Sequence, residues 1–232
     1  MSARRSERGV AMVLALMAML FLSAVGVALM LTAASETLIA GSFRAREAAR
    51  YAAEAGLERV LADLSAPGDW GALLDGTTRS SFTDGPPGGA RALADGSTID
   101  LGQQVNLANC QKTPVCSAAE MNAVTADRPW GANNPRWTLL AYAPLSALLP
   151  DASLGPPAYV VVLVGDDPSE IDGDPSRDAD AGQPGSGIIA VRAEAFGPRG
   201  AFSSIDITLS RPPYNEGIRQ TGIRILSWRE VR

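Results

Sequence analysis

From Val10 to Leu31 the chain is apolar at every position but one, Ser23. At 1.5 Å per residue this run reaches about 33 Å, enough to cross the hydrocarbon core of a bilayer. A cleaved secretory signal has a shorter apolar run, about 7–15 residues, and a buried core helix would carry polar residues along one face. The pattern therefore predicts a transmembrane helix over 10–34. Arg4, Arg5 and Arg8 precede it beside a single acid, Glu7, which keeps the N-terminus cytoplasmic and sends the rest of the chain across the membrane.

Over 35–64 the pattern turns amphipathic. Ala49, Ala53, Leu57, Val60, Leu61 and Leu64 follow helical spacing and form one apolar stripe, while Glu47, Arg50, Glu54 and Glu58 fall on the opposite face. No proline interrupts the chain until Pro67-Gly68. The prediction is one continuous helix of about 55 residues, roughly 80 Å long. Ordinary globular helices average about 11–12 residues, so this length needs a reason.

Residues 65–136 are rich in turn chemistry, with Asp84-Gly85-Pro86-Pro87-Gly88-Gly89 and Ala132-Asn133-Asn134-Pro135 as the clearest clusters. They read as a loop-rich variable region. Strand patterns fill 137–232. Trp137–Tyr142 alternates with Trp137, Leu139 and Ala141 on one face, and Tyr159–Val164 is an unbroken apolar run suited to a central strand. Ile188–Phe196 turns Ile189, Val191, Ala193 and Ala195 inward and Arg192 and Glu194 outward. Gly197-Pro198-Arg199-Gly200 makes a hairpin turn. Ser203–Leu209 returns with Ile205, Ile207 and Leu209 inward, and Ile223–Val231 is a last strand. Four or five antiparallel strands expose an apolar face that must be covered, and the stripe over 49–64 is the available cover.

Composition narrows the chemistry. Net charge is −5, and removing the first nine residues, with three arginines and one glutamate, leaves −7. An acidic domain does not favour phosphate neutralisation, so nucleic acid is not an expected partner. The absence of histidine excludes serine–histidine and cysteine–histidine catalysis and histidine-ligated zinc. Only a carboxylate or a serine–lysine device remains; the one lysine, Lys112, lies in the loop region, and no convergent polar site is legible for either. The chain is therefore not expected to be an enzyme. Cys110 and Cys116 cannot complete a zinc site alone; an extracytoplasmic domain would pair them as a disulfide, the alternative being two free thiols.

Asp166 to Asp180 holds seven carboxylates in fifteen residues. Asp172, Asp174, Ser176, Asp178 and Asp180 alternate, as hard oxygen ligands for calcium often do. The stretch is not an EF-hand, because Arg177 stands where glycine is expected and Gln183 where glutamate is expected. Calcium is one reading of this segment, and a solvated acidic loop is the other.

The segment Glu7-Arg8-Gly9-Val10-Ala11-Met12-Val13-Leu14-Ala15-Leu16 resembles the start of a type IV pilin. Ala33-Ala34-Ser35-Glu36, Ile39-Ala40-Gly41-Ser42-Phe43-Arg44-Ala45-Arg46-Glu47-Ala48 and Ala52-Ala53-Glu54-Ala55-Gly56-Leu57 resemble the N-terminal region of PilX-like minor pilins. The Arg-Ala-Glu-Ala-Phe-Gly-Pro-Arg-Gly hairpin and the Ser-Trp-Arg-Glu terminus are similar to the C-terminal halves of the same proteins. The resemblance implies an α+β type IV pilin fold, a long N-terminal helix packed by its second half on an antiparallel sheet. It also implies a basic prepilin leader over 1–9, cut by prepilin peptidase after Gly9, with Val10 as the first mature, N-methylated residue. The protein would sit in the inner membrane as a single-pass subunit with its domain in the periplasm, and in the pilus fibre after assembly. Its partners would be other minor pilins, the major pilin and a tip adhesin.

One departure from the pilin pattern is Leu14, which occupies the fifth mature position, where most pilins carry a glutamate that pairs with a neighbouring subunit's amine. The same absence is found in PilX-like minor pilins and in K-type minor pseudopilins of type II secretion. The expected role is a minor pilin that primes assembly or caps the fibre tip. The alternatives are a K-type minor pseudopilin and a signal-anchored extracytoplasmic binding protein.

Overall fold

The computed structural model describes residues 7–65, 70–93, 95–149, 157–170, 172–178, 185–211 and 222–231. The chain divides into two compact units, 1–44 and 45–232. Helix α1 (Glu7–Leu64) contributes to both. In the first unit its side chains are exposed throughout the apolar run, including Leu14, Phe21 and Met30. It is the one helix among the described residues long and apolar enough to cross a membrane, with a mean hydropathy of 2.6 in its apolar window.

In the second unit, Ala49, Ala52, Ala53, Leu57, Val60 and Leu64 of α1 are all buried. The expected stripe is therefore present, with Ala52 and Gly56 added to it and Leu61 only partly buried. On the other face Arg50 bridges to Glu54 at 3.0 Å and to Glu47 at 3.5 Å, pairs of the kind that support a helix surface by tenths of a kcal/mol, about 0.2–0.5 each.

The chain continues through α2 (Gly71–Leu74), the hairpin β1 (Ala90–Ala92) and β2 (Thr98–Asp100), α3 (Leu101–Cys110) and α4 (Ala118–Met121). It then forms β3 (Thr138–Pro144), β4 (Tyr159–Asp166), β5 (Ile188–Phe196), β6 (Phe202–Ser210) and β7 (Arg224–Val231). The last five make one antiparallel sheet in simple chain order, β3-β4-β5-β6-β7. Between β5 and β6 the Gly197 N–H donates to Ala201 O at 2.7 Å, and Arg199 takes φ 59° at the tip.

Two apolar layers flank the sheet. On one face Val160, Val162, Val164, Ile189, Val191, Ala193, Ile205, Ile207 and Leu209 pack with the α1 stripe and with Trp70, Leu74 and Phe82. On the other, Trp137, Leu139, Tyr142, Tyr159, Val161 and Leu163 pack with Ile99, Leu101 and Ala108. The unbroken apolar sequence of β4 follows from this: every residue of β4 is buried because the strand is covered on both sides.

The second layer is built from the region expected to be loop. Asp100 caps α3, its carboxylate accepting from Gln103 N at 3.0 Å. Ser117 and Glu120 form a capping box on α4. Asn109 at the end of α3 donates from Nδ2 to Trp137 O at 2.9 Å and accepts from Trp137 N at 2.9 Å, clamping the helix to the start of β3. Buried Arg128 donates to Ala108 O at 2.9 Å and to Pro135 O at 2.8 Å, and its burial pulls its pKa down to about 10.

Two expectations about strand faces are corrected. Trp137 and Leu139 share a face, but Ala141 does not join them, because a bulge between Leu139 and Ala141 shifts the alternation and sends Ala141 to the α1 side. Arg192 and Glu194 do point away from α1, but not into solvent: Arg192 lies 4.8 Å from the Trp137 ring centre, and Glu194 is buried. That burial pushes the Glu194 carboxyl up to about 7, with Arg192 opposing the shift.

Cys110 and Cys116 form the expected disulfide, with Cα atoms 6.0 Å apart. It closes a short loop between α3 and α4, which Lys112 also fastens by its contact with Glu120. Replacing both cysteines by serine is expected to lower unfolding free energy by about 2–3 kcal/mol, by the chain-entropy effect of a short loop. Urea denaturation of the parent and the double-serine variant measures it; coincident midpoints would contradict a stabilising bond.

Candidate functional site

Three places bear on function. The first is the N-terminal segment. Gly9 and Val10 lie in α1, both exposed, with no atom near enough to meet a side chain placed at Gly9. Leu14, one turn on, is 61 % exposed. The apolar side chains from Val10 to Leu31 are exposed among the described residues, a surface that lipid or other helices would cover.

The second is the acidic segment. β4 ends on Asp166, opposite Ile189 of β5, so this carboxylate sits at the rim of the core and is 3 % exposed. A turn closed by Glu170 N donating to Asp167 O at 3.1 Å brings Glu170 back beside it, 2 % exposed. Asp178 completes the group: one carboxylate oxygen from each of the three lies within 4.8 Å of the others. Burial first, then the charge of Glu170, push the Asp166 carboxyl up to about 9. A carboxyl raised in the folded state weakens the fold as pH climbs from its ordinary value towards 9.

Of the described members of the alternating set, Asp178 alone joins this group. Asp172 and Asp174 are exposed and serve their own backbone: Asp172 Oδ1 accepts from Asp174 N at 2.9 Å, and Asp174 Oδ1 accepts from Ser176 N at 3.1 Å and Ser176 Oγ at 2.6 Å. Asp180 lies outside the described residues. Asp166 and Glu170 were not among the sequence candidates. The signal for Asp166 was its place at the end of a strand apolar on both faces.

The third is a cavity of about 440 Å³ on the sheet face away from α1, bordered by Trp130, Trp137, Arg128, Arg192, Asp206 and Arg229. Its cations are already engaged. Arg192 holds both oxygens of Asp206, at 2.7 and 2.9 Å, and Arg229 donates to Asp206 Oδ2 at 2.9 Å. Arg128 is turned to backbone carbonyls.

Residues 8–58 match the family model described as PilX N-terminal. No curated protein and no solved structure matches the chain. The matched segment covers the exposed apolar run and most of the amphipathic turns that pack on the sheet.

Proposed function

We propose that this chain, which carries a PilX N-terminal segment, is a minor pilin of a type IV pilus that primes assembly or caps the fibre tip. The observation that carries this reading is the match over 8–58 lying on one helix, lipid-compatible in its first part and buried against an antiparallel sheet in its second. Residues 1–9 act as the leader, prepilin peptidase cuts after Gly9, and Val10 becomes the mature N-terminus. Residues 10–34 span the inner membrane before assembly, with 35–232 in the periplasm.

Leu14 supports a terminal position. A charged amine buried in an apolar bundle is costly unless it is paired. A subunit with leucine at mature position five offers no carboxylate to the subunit already in place, so it adds poorly beneath another copy of itself. As the first subunit it meets no such cost. Other minor pilins, the major pilin and a tip adhesin are the partners this position implies.

Mass spectrometry of sheared fibres tests both parts. The N-terminal peptide is expected to begin at N-methylated Val10, and the subunit to be present at a small fraction of the dominant pilin. A chain beginning at Met1 in piliated cells, or abundance equal to the dominant pilin, rejects the reading. Leu14 suits a K-type minor pseudopilin equally well. Deletion separates the two, since loss of pili marks the first and loss of secreted proteins the second.

A further inference from the structure

The end of β4 holds a charge arrangement that the pilin reading does not use. Asp166 is the last residue of a strand buried along its whole length, and its Oδ1 has no hydrogen-bond partner. An acceptor with this little exposure and no donor is costly unless something else satisfies it. Two further carboxylates converge on it, and Arg211 lies 3.5 Å from Asp178 Oδ2. The Asp178 Oδ1 is fixed from behind by Gly187 N at 2.7 Å.

The surroundings hold the group in place. Asn133 Nδ2 contacts Glu170 O and donates to Pro168 O at 3.3 Å, pinning the turn that returns Glu170 to Asp166. Gly185, at φ +92°, lies against Glu170 so closely that a Cβ there would stand 3.0 Å from Glu170 Cβ. A side chain at 185 would push the carboxylate away. For three oxygens no more than 4.8 Å apart, some point lies within about 2.8 Å of all of them, close to the 2.3–2.6 Å of calcium–oxygen bonds. Calcium's flexible geometry tolerates the remaining adjustment, whereas magnesium needs near-ideal octahedral bonds of about 2.0–2.1 Å.

We propose that Asp166, Glu170 and Asp178 bind a divalent cation of calcium's size, fastening the acidic segment to the end of β4. The site differs from the alternating aspartates, since Asp172 and Asp174 are spent on local turns. It rests on the geometry of Asn133, Asp166, Glu170, Asp178, Gly185 and Gly187 and stands or falls separately from the pilin reading.

The test uses the full chain in detergent, stripped with EDTA. Terbium stands in for calcium and is excited through tryptophan; Trp137 packs against the backbone of Gly165, next to Asp166. Saturable terbium emission is expected, displaced by calcium and far less by magnesium. Calcium at a hundred times its Kd is expected to raise the Tm by about 5–10 °C. Asp166→Asn and Glu170→Gln should each weaken binding at least tenfold while the EDTA-treated variants still melt cooperatively. Asp172→Asn combined with Asp174→Asn should leave binding unchanged. No saturable binding at millimolar calcium, equal binding by both single variants and the parent, or loss in the Asp172/Asp174 variant alone each overturns the proposal.

Discussion

Asp206→Ala is expected to lower the unfolding free energy by about 2–4 kcal/mol, among the largest effects of any single change at a charged residue. Asp206 stands on β6 directly across from Arg192 on β5 and Arg229 on β7, so one carboxylate neutralises two guanidinium groups. The two arginines are not equivalent. The Arg192 side chain is 18 % exposed and that of Arg229 is 65 % exposed. Burial alone would pull the Arg192 proton affinity down, and its bonds to Asp206 more than offset that, so its pKa ends above the ordinary value. Removing a partner from a buried pair strands the other charge, typically at about 3–5 kcal/mol; here the charge of nearby Glu194 compensates in part, which lowers the expectation. Arg229→Ala, by contrast, should cost under about 1 kcal/mol. Replacing Arg192 and Asp206 together by leucine should cost less than Asp206→Ala, because no charge is left behind. Urea denaturation of the three variants measures the series. An Asp206→Ala cost no larger than that of Arg229→Ala would show that Arg192 is well solvated.

Gly56→Leu is expected to cost about 3 kcal/mol or more, and Gly56→Ala up to about 2. Here α1 passes close to β4: a Cβ on Gly56 would stand 2.4 Å from Val160 Cγ1 and 3.7 Å from Val162 Cγ2. Two effects oppose each other. Alanine gains about 0.8–1.0 kcal/mol of helix propensity over glycine, but overpacking a core costs about 1–3. Overpacking wins because Val160 is fully buried between β3 and β5 and has little room to move. A double-mutant cycle with Val160→Ala isolates the clash. Gly56→Ala and Val160→Ala should together cost at least about 1 kcal/mol less than their sum. Strict additivity, or a stabilising Gly56→Ala, would mean that the helix rides higher over the sheet than described.

The parts of the fold that were legible were those governed by one periodicity at a time. The α1 stripe and the inward residues of β5 and β6 followed their patterns because all of them face one apolar core, and the turn at residues 197–200 followed from its glycines and proline. Ala52 and Gly56 escaped the reading: small residues carry almost no hydrophobic signal, yet they set how near the helix lies. Ala141 escaped because a bulge has no periodicity. The second layer escaped because it is held by polar clamps, Asn109 with Trp137 and Arg128 with Ala108 and Pro135, in a stretch whose composition resembles loop. With that layer unseen, Arg192 and Glu194 were assigned to solvent. The acidic segment was singled out, but its grouping was legible only at one residue: alternation pointed to Asp172, Asp174, Ser176, Asp178 and Asp180, of which Asp178 lies with Asp166 and Glu170, and the depth of β4 in the core places Asp166 there.

The simple chain order of the large sheet governs how the domain can acquire its shape as the chain emerges. Each strand from β4 to β7 pairs with the strand just before it, so these hairpins can close as the chain arrives, with little loop-closure cost. The contacts between α1 and the sheet join positions about a hundred residues apart, as Gly56 and Val160 show, and cannot begin until β4 has emerged. Through that interval the stripe from Ala49 to Leu64 lies open as a sticky surface of the kind that draws chaperones or misassociates. Delayed release of residues 159–166 would therefore prolong the vulnerable period more than delay at β7, which has only to add to an existing edge.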